Sequence, residues 1–296
     1  MFQGSLFQPA GRSSSLRVGP AGWNYKDWEG IVYPGTKSFD ALAFLSEYCD
    51  TIEINSSFYA PPRPKDTASW ARRVKHNPRF RFTAKAWNKL SHEHRAGDEL
   101  TLRADCDEVC RSMGPLVEAG VLGALLMQFP WRFRNVPENA DYLDVLFRML
   151  SDFPLVLEVR HGSWNEESFY DWLREKSVAF CNVDQPVIGD SLRPDARATA
   201  RLGYFRMHGR NYENWFREDA GRDARYDYLY SKQEIKRLSA QIKQVQQSTE
   251  ETYAVTNNHF RGQALVNAME LLEELDGKPP AVPPMLAAAY PDRFHK

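Results

Sequence analysis

The sequence predicts an α/β fold built as a single (β/α)₈ TIM-type barrel. Short β-rich apolar runs recur eight times, amphipathic helical stretches separate most of them, and polar residues cluster at the carboxyl ends of the runs. Parallel strands need a crossover, which a helix supplies, and eight such units close a barrel with a filled interior. An open, doubly wound sheet is the alternative, and the position of the polar residues favours the closed barrel.

The predicted strands are rich in β-branched, aromatic and other apolar residues. They are Leu16–Gly19, Thr51–Asn55, Arg79–Ala86, Leu122–Pro130, Leu155–Arg160, Val178–Asp184, Gly203–Gly209 and Thr252–Asn257.

The predicted helices show apolar residues at helical spacing. They are Phe39–Cys49, Lys65–Lys75, Ala104–Ala119, Asn139–Leu150, Glu167–Lys176, Lys232–Gln247 and Gln263–Leu275. Ser38 is the expected N-cap of the first helix, and Ser231 with Glu234 resembles a capping box. Pro and Asp interrupt Ile188–Ala200, where helical patterning is weak.

Composition excludes several classes of protein. The 38 basic and 39 acidic residues give a net charge of −1, which excludes a generally basic nucleic-acid binder. The apolar stretches are too short to cross a bilayer, and the first 15 residues lack the pattern of a signal peptide. We therefore expect a cytoplasmic barrel domain over residues 16–276, with a flexible extension over 1–15 and a tail over 277–296. The four cysteines complete no zinc pattern, so we expect no metal and no cofactor.

Polar residues share one parity near the ends of the predicted strands. Alternation places Glu53 with Asn55 on one face of a strand, and Glu158 with Arg160 on one face of another. The same parity is expected for Thr83 with Lys85, Gln128, Asn182 with Asp184, and Arg206 with His208. We predict that these side chains point into the barrel at its carboxyl-terminal mouth, where barrel enzymes have their active sites. The alternative is a structural network of ion pairs without a ligand.

The loops after the strands carry aromatic residues interleaved with polar ones. Trp23 and Tyr25 follow the first strand, Tyr59 the second, and His161 and Trp164 the fifth. Together these side chains are expected to form the wall of a ligand pocket.

A second feature predicts an anion site beside the eighth strand. Asn258 and His259 end that strand, and Gly262 opens the following helix, whose first N–H groups suit a phosphate. Arg210, in the loop after the seventh strand, is expected to contribute a guanidinium group to the same corner.

The chain also resembles a known family. The motifs that carry the resemblance are Gly22-Trp23, Glu53-Ile54-Asn55-Ser56-Ser57-Phe58-Tyr59, Gln128-Phe129-Pro130, Glu158-Val159-Arg160-His161, Asp184-Gln185-Pro186, Arg206-Met207-His208-Gly209-Arg210 and Asn257-Asn258-His259. In their order they resemble the YecE-like family, also called domain of unknown function 72 (DUF72), from about Val18 to Leu275. The resemblance implies a TIM barrel but no reaction, because the family has no established activity. Trp131 departs from the family pattern, in which a second proline is common.

Three functional hypotheses follow. The first is a metal-independent enzyme acting on an anionic, phosphorylated substrate. Its general base would be Glu53, Glu158 or Asp184, and its acid His208 or His161. The second is a divalent-metal-dependent hydrolase or isomerase with Glu53, Glu158, Asp184 and His208 as ligands. The third is a non-catalytic protein that binds nucleotides or single-stranded nucleic acid through rim aromatics. We favour the first, because Arg160 and Arg206 would compete with a cation for the carboxylates.

Overall fold

The computed structural model describes residues 16–36, 38–93, 98–192, 195–215, 217 and 222–294. The predicted extension over residues 1–15 lies outside this range. Within it, no helix is long and apolar enough to cross a membrane.

Eight parallel strands form one sheet in the order β1-β8-β7-β6-β5-β4-β3-β2, which confirms the predicted barrel. The strands are β1 (Leu16–Pro20), β2 (Thr51–Ile54), β3 (Arg81–Lys85), β4 (Leu122–Gln128), β5 (Leu155–Glu158), β6 (Ala179–Asp184), β7 (Leu202–Met207) and β8 (Glu251–Thr256).

The barrel closes where β1 meets β2. Ala21 and Glu53 form an isolated parallel bridge, and the Gly22 N–H donates to the Glu53 carbonyl over 2.8 Å. A Cβ atom at Gly19 would lie 1.8 Å from the Thr51 carbonyl oxygen. Only glycine allows the two backbones to approach this closely.

Helices follow most of the strands and cover the outside of the barrel. They are α1 (Ala41–Leu45), α2 (Pro64–Arg73), α3 (Glu99–Glu118), α4 (Pro137–Met149), α5 (Glu167–Glu175), α6 (Arg222–Arg225), α7 (Lys232–Gln246), α8 (Gln263–Asp276), α9 (Pro284–Ala289) and α10 (Pro291–Phe294). The described residues between β6 and β7 contain no helix, as the weak patterning of that segment indicates.

Helix capping explains why two observed helices begin at residues other than the predicted ones. The capping box of α7 is present, with Ser231 and Glu234 bonded as expected. By contrast, Asp40 caps α1 by accepting the Ala43 N–H, so the prediction for Ser38 is wrong. Asp98 caps α3 in the same way, and this helix therefore begins five residues before the predicted Ala104. In α1 the Asp40 carboxylate lies nearer the apolar run than Ser38 does.

Strand alternation separates two layers of apolar packing. Ile52, Phe82 and Leu125 point outward and pack with the helices. A smaller inner cluster fills the barrel: Ala21, Ala124, Leu126, Val156, Ala179, Cys181, Val183, Tyr204, Tyr253 and Val255. This inner layer is the platform beneath the polar mouth.

The segment predicted as a tail forms two short helices against the barrel. Leu286 of α9 is fully buried. Arg293 of α10 binds both carboxylate oxygens of Glu270 in α8 over 2.6 Å. The Tyr290 hydroxyl donates to the Arg261 carbonyl over 2.8 Å. These contacts fix the segment beside the start of α8.

We expect Gly19→Ala to destabilise the protein by about 3 kcal/mol, because its new methyl group meets a backbone carbonyl that cannot rotate away. Urea denaturation measures this change. Gly114→Ala in α3 is the control, since a Cβ there meets nothing within 4 Å and should stabilise the helix by about 0.5–1 kcal/mol. Equal stability of Gly19→Ala and the wild type would contradict the proposed closure.

Candidate functional site

A cavity of about 440 Å³ opens at the carboxyl-terminal mouth of the barrel. Strand ends supply its floor, and the loops after β1, β2, β7 and β8 supply its walls. Its lining comprises Gly22, Trp23, Asn24, Tyr25, Asn55, Ser56, Phe58, Tyr59, Lys85, Gln128, Arg160, Arg206, His208, Tyr226, Asn257 and His259. Ten of the predicted site residues are therefore brought together here: Trp23, Tyr25, Asn55, Tyr59, Lys85, Gln128, Arg160, Arg206, His208 and His259.

Arg206 forms the centre of the floor, between two buried carboxylates. Its Nη2 donates to Glu53 Oε1 over 2.7 Å, and its Nη1 donates to Glu158 Oε2 over 2.6 Å. The Arg206 side chain is 2% exposed and both glutamate side chains are fully buried. The Tyr204 hydroxyl lies 2.9 Å from Glu53 Oε2. Each charge in this layer is thus compensated, as burial requires.

Arg160 connects the ion pairs to the cavity. Its Nε and Nη2 both donate to Glu158 Oε1, over 3.0 and 2.8 Å. Burial opposes ionisation of Glu158, but the Arg206 and Arg160 guanidinium groups outweigh it and hold the pKa of this carboxyl well below its usual range. Arg160 lines the cavity, and among the described residues no hydrogen bond involves its Nη1 atom. That edge of the guanidinium group can bind an anionic ligand.

His208 is neutral in this environment. Burial, together with the nearby Arg206 charge, lowers its pKa to about 3. The Asn257 amide nitrogen lies 2.8 Å from Nδ1, and Nη1 of Arg206 lies 3.5 Å from Nε2. Nε2 lies 3.7 Å from Glu158 Oε1. A histidine held in this form is a poor acid at neutral pH.

Lys85 differs from the two arginines of the cavity, because its hydrogen-bond partner is an uncharged amide and not a carboxylate. Its Nζ donates to Gln128 Oε1 over 2.8 Å and lies 3.9 Å from the centre of the Phe58 ring. Burial and the charge of Arg206 lower the pKa of this amine to about 7. Lys85 therefore changes its charge near neutral pH.

Aromatic side chains form the walls above this polar floor. Tyr25 stacks on His259 with ring centres 4.6 Å apart, and Tyr226 lies 5.1 Å from the same imidazole. The Trp23 ring packs against Trp70, with ring centres 5.2 Å apart. Tyr59 at the rim is 66% exposed. The cavity thus combines a cationic floor with aromatic faces that a planar or cyclic group can contact.

Comparison with known proteins agrees with this architecture. The family described as "Protein of unknown function DUF72" matches residues 17–290. The chain belongs to the DUF72 family. The UPF0759 protein YunF of Bacillus subtilis (strain 168) is 29% identical over 272 residues, covering 88% of this chain and 95% of the relative.

Two solved DUF72 structures share the fold. A DUF72 family protein from Thermotoga maritima MSB8 has a TM-score of 0.76 and 32% identity, covering 88% of this chain and 99% of that one. Another from Enterococcus faecalis V583 has a TM-score of 0.76 and 27% identity, covering 88% and 95%.

The prediction that Asp184 points into this DUF72 barrel is wrong. On β6 the inner parity is Ala179, Cys181 and Val183, so Asp184 faces the helix layer. There it binds Arg210 and accepts a hydrogen bond from the Tyr230 hydroxyl over 2.6 Å. The β7–α7 segment supplies these partners of the Asp184 carboxylate. Alternation along β6 gives no indication of them, because they come from a distant part of the chain.

The predicted anion corner is occupied by the protein itself. Arg210 binds Asp184 and Glu234, at 2.6 and 3.2 Å, and lies outside the cavity lining. The Arg261 N–H donates to Asp27 Oδ2 over 2.5 Å. A Cβ atom at Gly262 would meet the side chains of Val32 and Leu286. The start of α8 therefore packs against protein.

Three other predicted residues also lie outside the cavity, and so do the two glutamates that support its floor. Trp164 is buried beside Phe133, to whose carbonyl it donates. Asn258 bonds the Tyr228 carbonyl and Asn267. His161 contacts Ser163 and lines a separate pocket between the loops after β5 and β6.

Six cavity residues are absent from the predicted set: Gly22, Asn24, Ser56, Phe58, Tyr226 and Asn257. All but one are neighbours of predicted residues in the motifs after β1, β2 and β8, so those motifs carried the signal. Tyr226 follows the short helix α6 in the long β7–α7 connection. No strand periodicity marks such a position, and only the fold brings it to the mouth.

We expect Arg206→Met to destabilise the protein by about 3–5 kcal/mol, because it leaves two buried carboxylates without their shared cation. Urea denaturation measures the loss. Arg201→Met is the matched control: its ion pair with Glu250 is largely exposed, so it should cost about 1 kcal/mol or less. A similar small loss for both variants would show that Arg206 does not stabilise the barrel interior.

We expect His208→Gln to flatten the pH dependence of stability between pH 6.5 and 5. In the wild type the unfolded chain protonates this histidine in that range and the folded chain does not, so stability falls as the pH falls. The wild type should lose about 1 kcal/mol more per pH unit than the variant over this range, and the difference should approach about 1.4 kcal/mol per unit near pH 5. Thermal or urea unfolding across this range measures both slopes, and identical slopes would contradict a neutral buried His208.

Proposed function

We propose that this DUF72 protein is an enzyme that binds a small anionic substrate at the barrel mouth and uses Lys85 as its reactive ionisable group. The observation that carries the proposal is the composition of the cavity: Lys85, Arg160 and Arg206 line it, and no described carboxylate does. Cationic groups around a concave site favour a negatively charged ligand.

The charges beneath the cavity support an anion. Glu53 and Glu158 are balanced by Arg206 and Arg160, so protonation of Lys85 gives this group a net positive charge. Arg160 is 19% exposed and presents a planar donor edge that matches a phosphate or carboxylate. Arg160 is thus the proposed anion-binding residue.

In this proposal Lys85 acts as the acid–base group, in place of the residues suggested by the sequence. The sequence suggested Glu53, Glu158, Asp184 and the histidines, but Asp184 and His161 lie elsewhere and His208 has a pKa of about 3. The two glutamates bind guanidinium groups and support the floor. An amine with a pKa near 7 exchanges protons efficiently at neutral pH.

The donor set argues against the divalent-metal alternative. Its four suggested ligands are split, because Asp184 faces the helix layer while Glu53 and Glu158 already bind cations. In the part of the chain that the structure describes, no cluster of three acidic, histidine or cysteine side chains fits a metal ion. A cation would have to displace Arg206 or Arg160 from its carboxylates.

Isothermal titration with glycerol 3-phosphate at low salt tests the binding part of this proposal. Arg160→Lys removes the bidentate edge and keeps the charge, and Lys85→Met removes the amine. We expect each to weaken binding by about tenfold or more, the effect of losing one charge-assisted hydrogen bond. Arg134→Met is the control, because Arg134 lies over Trp131 on the same rim and outside the cavity lining.

Equal affinities of wild type, Arg160→Lys and Lys85→Met would contradict the proposal. A parallel titration with a single-stranded oligonucleotide tests the alternative that the protein is a non-catalytic nucleic-acid-binding protein. In that case we expect tight binding of the oligonucleotide and no binding of the small anion. Turnover is followed by proton NMR with a panel of sugar phosphates and 2-oxo acids, comparing wild type with Lys85→Met.

A further inference from the structure

We propose that Lys85 is a nucleophile that forms an imine with the carbonyl group of a small anionic substrate, either a phosphorylated aldehyde or ketone or a 2-oxo acid. This inference rests on the proposed function and specifies its substrate class and the covalent chemistry of its site. It follows from the contacts around Nζ, from the charges nearby and from the opening of the cavity above the amine.

The contacts of Nζ leave the amine directed at a cavity and bound to neutral groups. Gln128 Oε1 accepts one N–H at 2.8 Å, and the Phe58 ring lies 3.9 Å away. In the described part of the chain, no carboxylate lies within ion-pair distance of Lys85. The amine therefore has a fixed position, and it keeps capacity to bond a ligand carbon.

Burial favours the neutral amine, which is the nucleophilic form. Arg206 and Arg160 oppose protonation of Lys85, whereas Glu53 and Glu158 favour it. Both carboxylates are bound to guanidinium groups, which reduces their influence on the amine. His92, another titratable neighbour, has a pKa lowered to about 4 by burial and by the Lys85 charge, so it adds no positive charge at pH 7.

Lys89 provides an internal contrast four residues along the chain. Its Nζ lies 3.6 Å from Asp105 and 4.2 Å from the centre of the Trp87 ring, and its side chain is 45% exposed. Lys89 thus has a carboxylate partner and an exposed side chain. The sequence thus places two lysines close together, of which only Lys85 has the surroundings of a nucleophile.

The rest of the cavity defines the substrate that would reach this amine. Arg160 can bind a phosphate or carboxylate while the carbonyl carbon lies at Lys85, because both residues line the same cavity. Asn55, Asn257 and Gln128 add amide groups for hydroxyl substituents. A volume of about 440 Å³ suits a small metabolite of this kind.

The covalent step balances without an oxidant or reductant. The Nζ lone pair attacks the carbonyl carbon as the C–O π pair moves to oxygen, and a proton passes from nitrogen to oxygen. The resulting carbinolamine loses its hydroxyl group as water after taking up a proton from solvent. A protonated imine between Lys85 and the substrate carbon remains.

Reductive trapping tests the inference on the full-length protein. Wild type is incubated at pH 7 with dihydroxyacetone phosphate or pyruvate and sodium cyanoborohydride, which reduces an imine to a stable secondary amine. Intact mass and peptide mapping then locate the adduct. We expect one adduct at Lys85, at least about tenfold more abundant than at Lys89, since burial lowers the pKa of Lys85 to about 7 and Lys85 shares its cavity with Arg160. Preference between the two probes distinguishes a phosphate-bearing from a carboxylate-bearing substrate.

Two variants and two compounds complete the test. Lys85→Arg should lose the adduct, whereas Lys89→Arg should keep it. Dihydroxyacetone, which lacks the anionic group, should give at least about tenfold less adduct, because it forgoes the charge-assisted contact with Arg160. Glycerol 3-phosphate, which lacks the carbonyl group, should compete with trapping.

An adduct absent from Lys85, or spread evenly over surface lysines, would overturn the inference. If glycerol 3-phosphate still binds the wild type and depends on Arg160, the proposed function survives that result. Loss of both the adduct and this binding would overturn the two proposals together.

Discussion

The charge of Arg206 determines how the polar interior of this barrel is built. A guanidinium group buried at the centre of the mouth has to be neutralised, and Glu53 on β2 and Glu158 on β5 do so. Arg160 then binds the second glutamate, and burial beside these cations keeps His208 uncharged. One buried positive charge therefore orders side chains from β2, β5 and β7 and sets the electrostatic potential of the cavity.

The same arrangement explains why Lys85 differs from the other cations of the mouth. The two buried carboxylates are already bound to arginine, so the amine has an amide oxygen and an aromatic ring as partners. A buried arginine keeps its charge at neutral pH, whereas a buried lysine can lose its proton. A structural network and a reactive group are thus parts of one system, and the structural interpretation of the buried charges does not exclude a functional one.

The sequence predicts the barrel and most of the cavity because alternation along a strand is a local property. It predicts that Lys85 and Arg206 point into the barrel, since the inner parity of β3 and β7 carries their charges, and both line the cavity. It fails at Asp184, where both parities of β6 are compatible with burial and the partners Arg210 and Tyr230 lie on the outer side. It also omits Tyr226, which reaches the mouth from a long connection. Such errors arise where contacts between distant segments, and not the alternation of residues along a strand, determine the position of a side chain.

The junction of β1 and β2 has a consequence for the motion of the barrel. Neighbouring strands elsewhere pair over at least two consecutive residues, but this junction has one isolated bridge at Ala21 and Glu53. Glu53 also holds Arg206, and the loops that follow β1 and β2 form one wall of the cavity. Local opening of the sheet should therefore begin at this junction, with early amide hydrogen exchange at Gly22, and would widen the entrance on the Trp23 side.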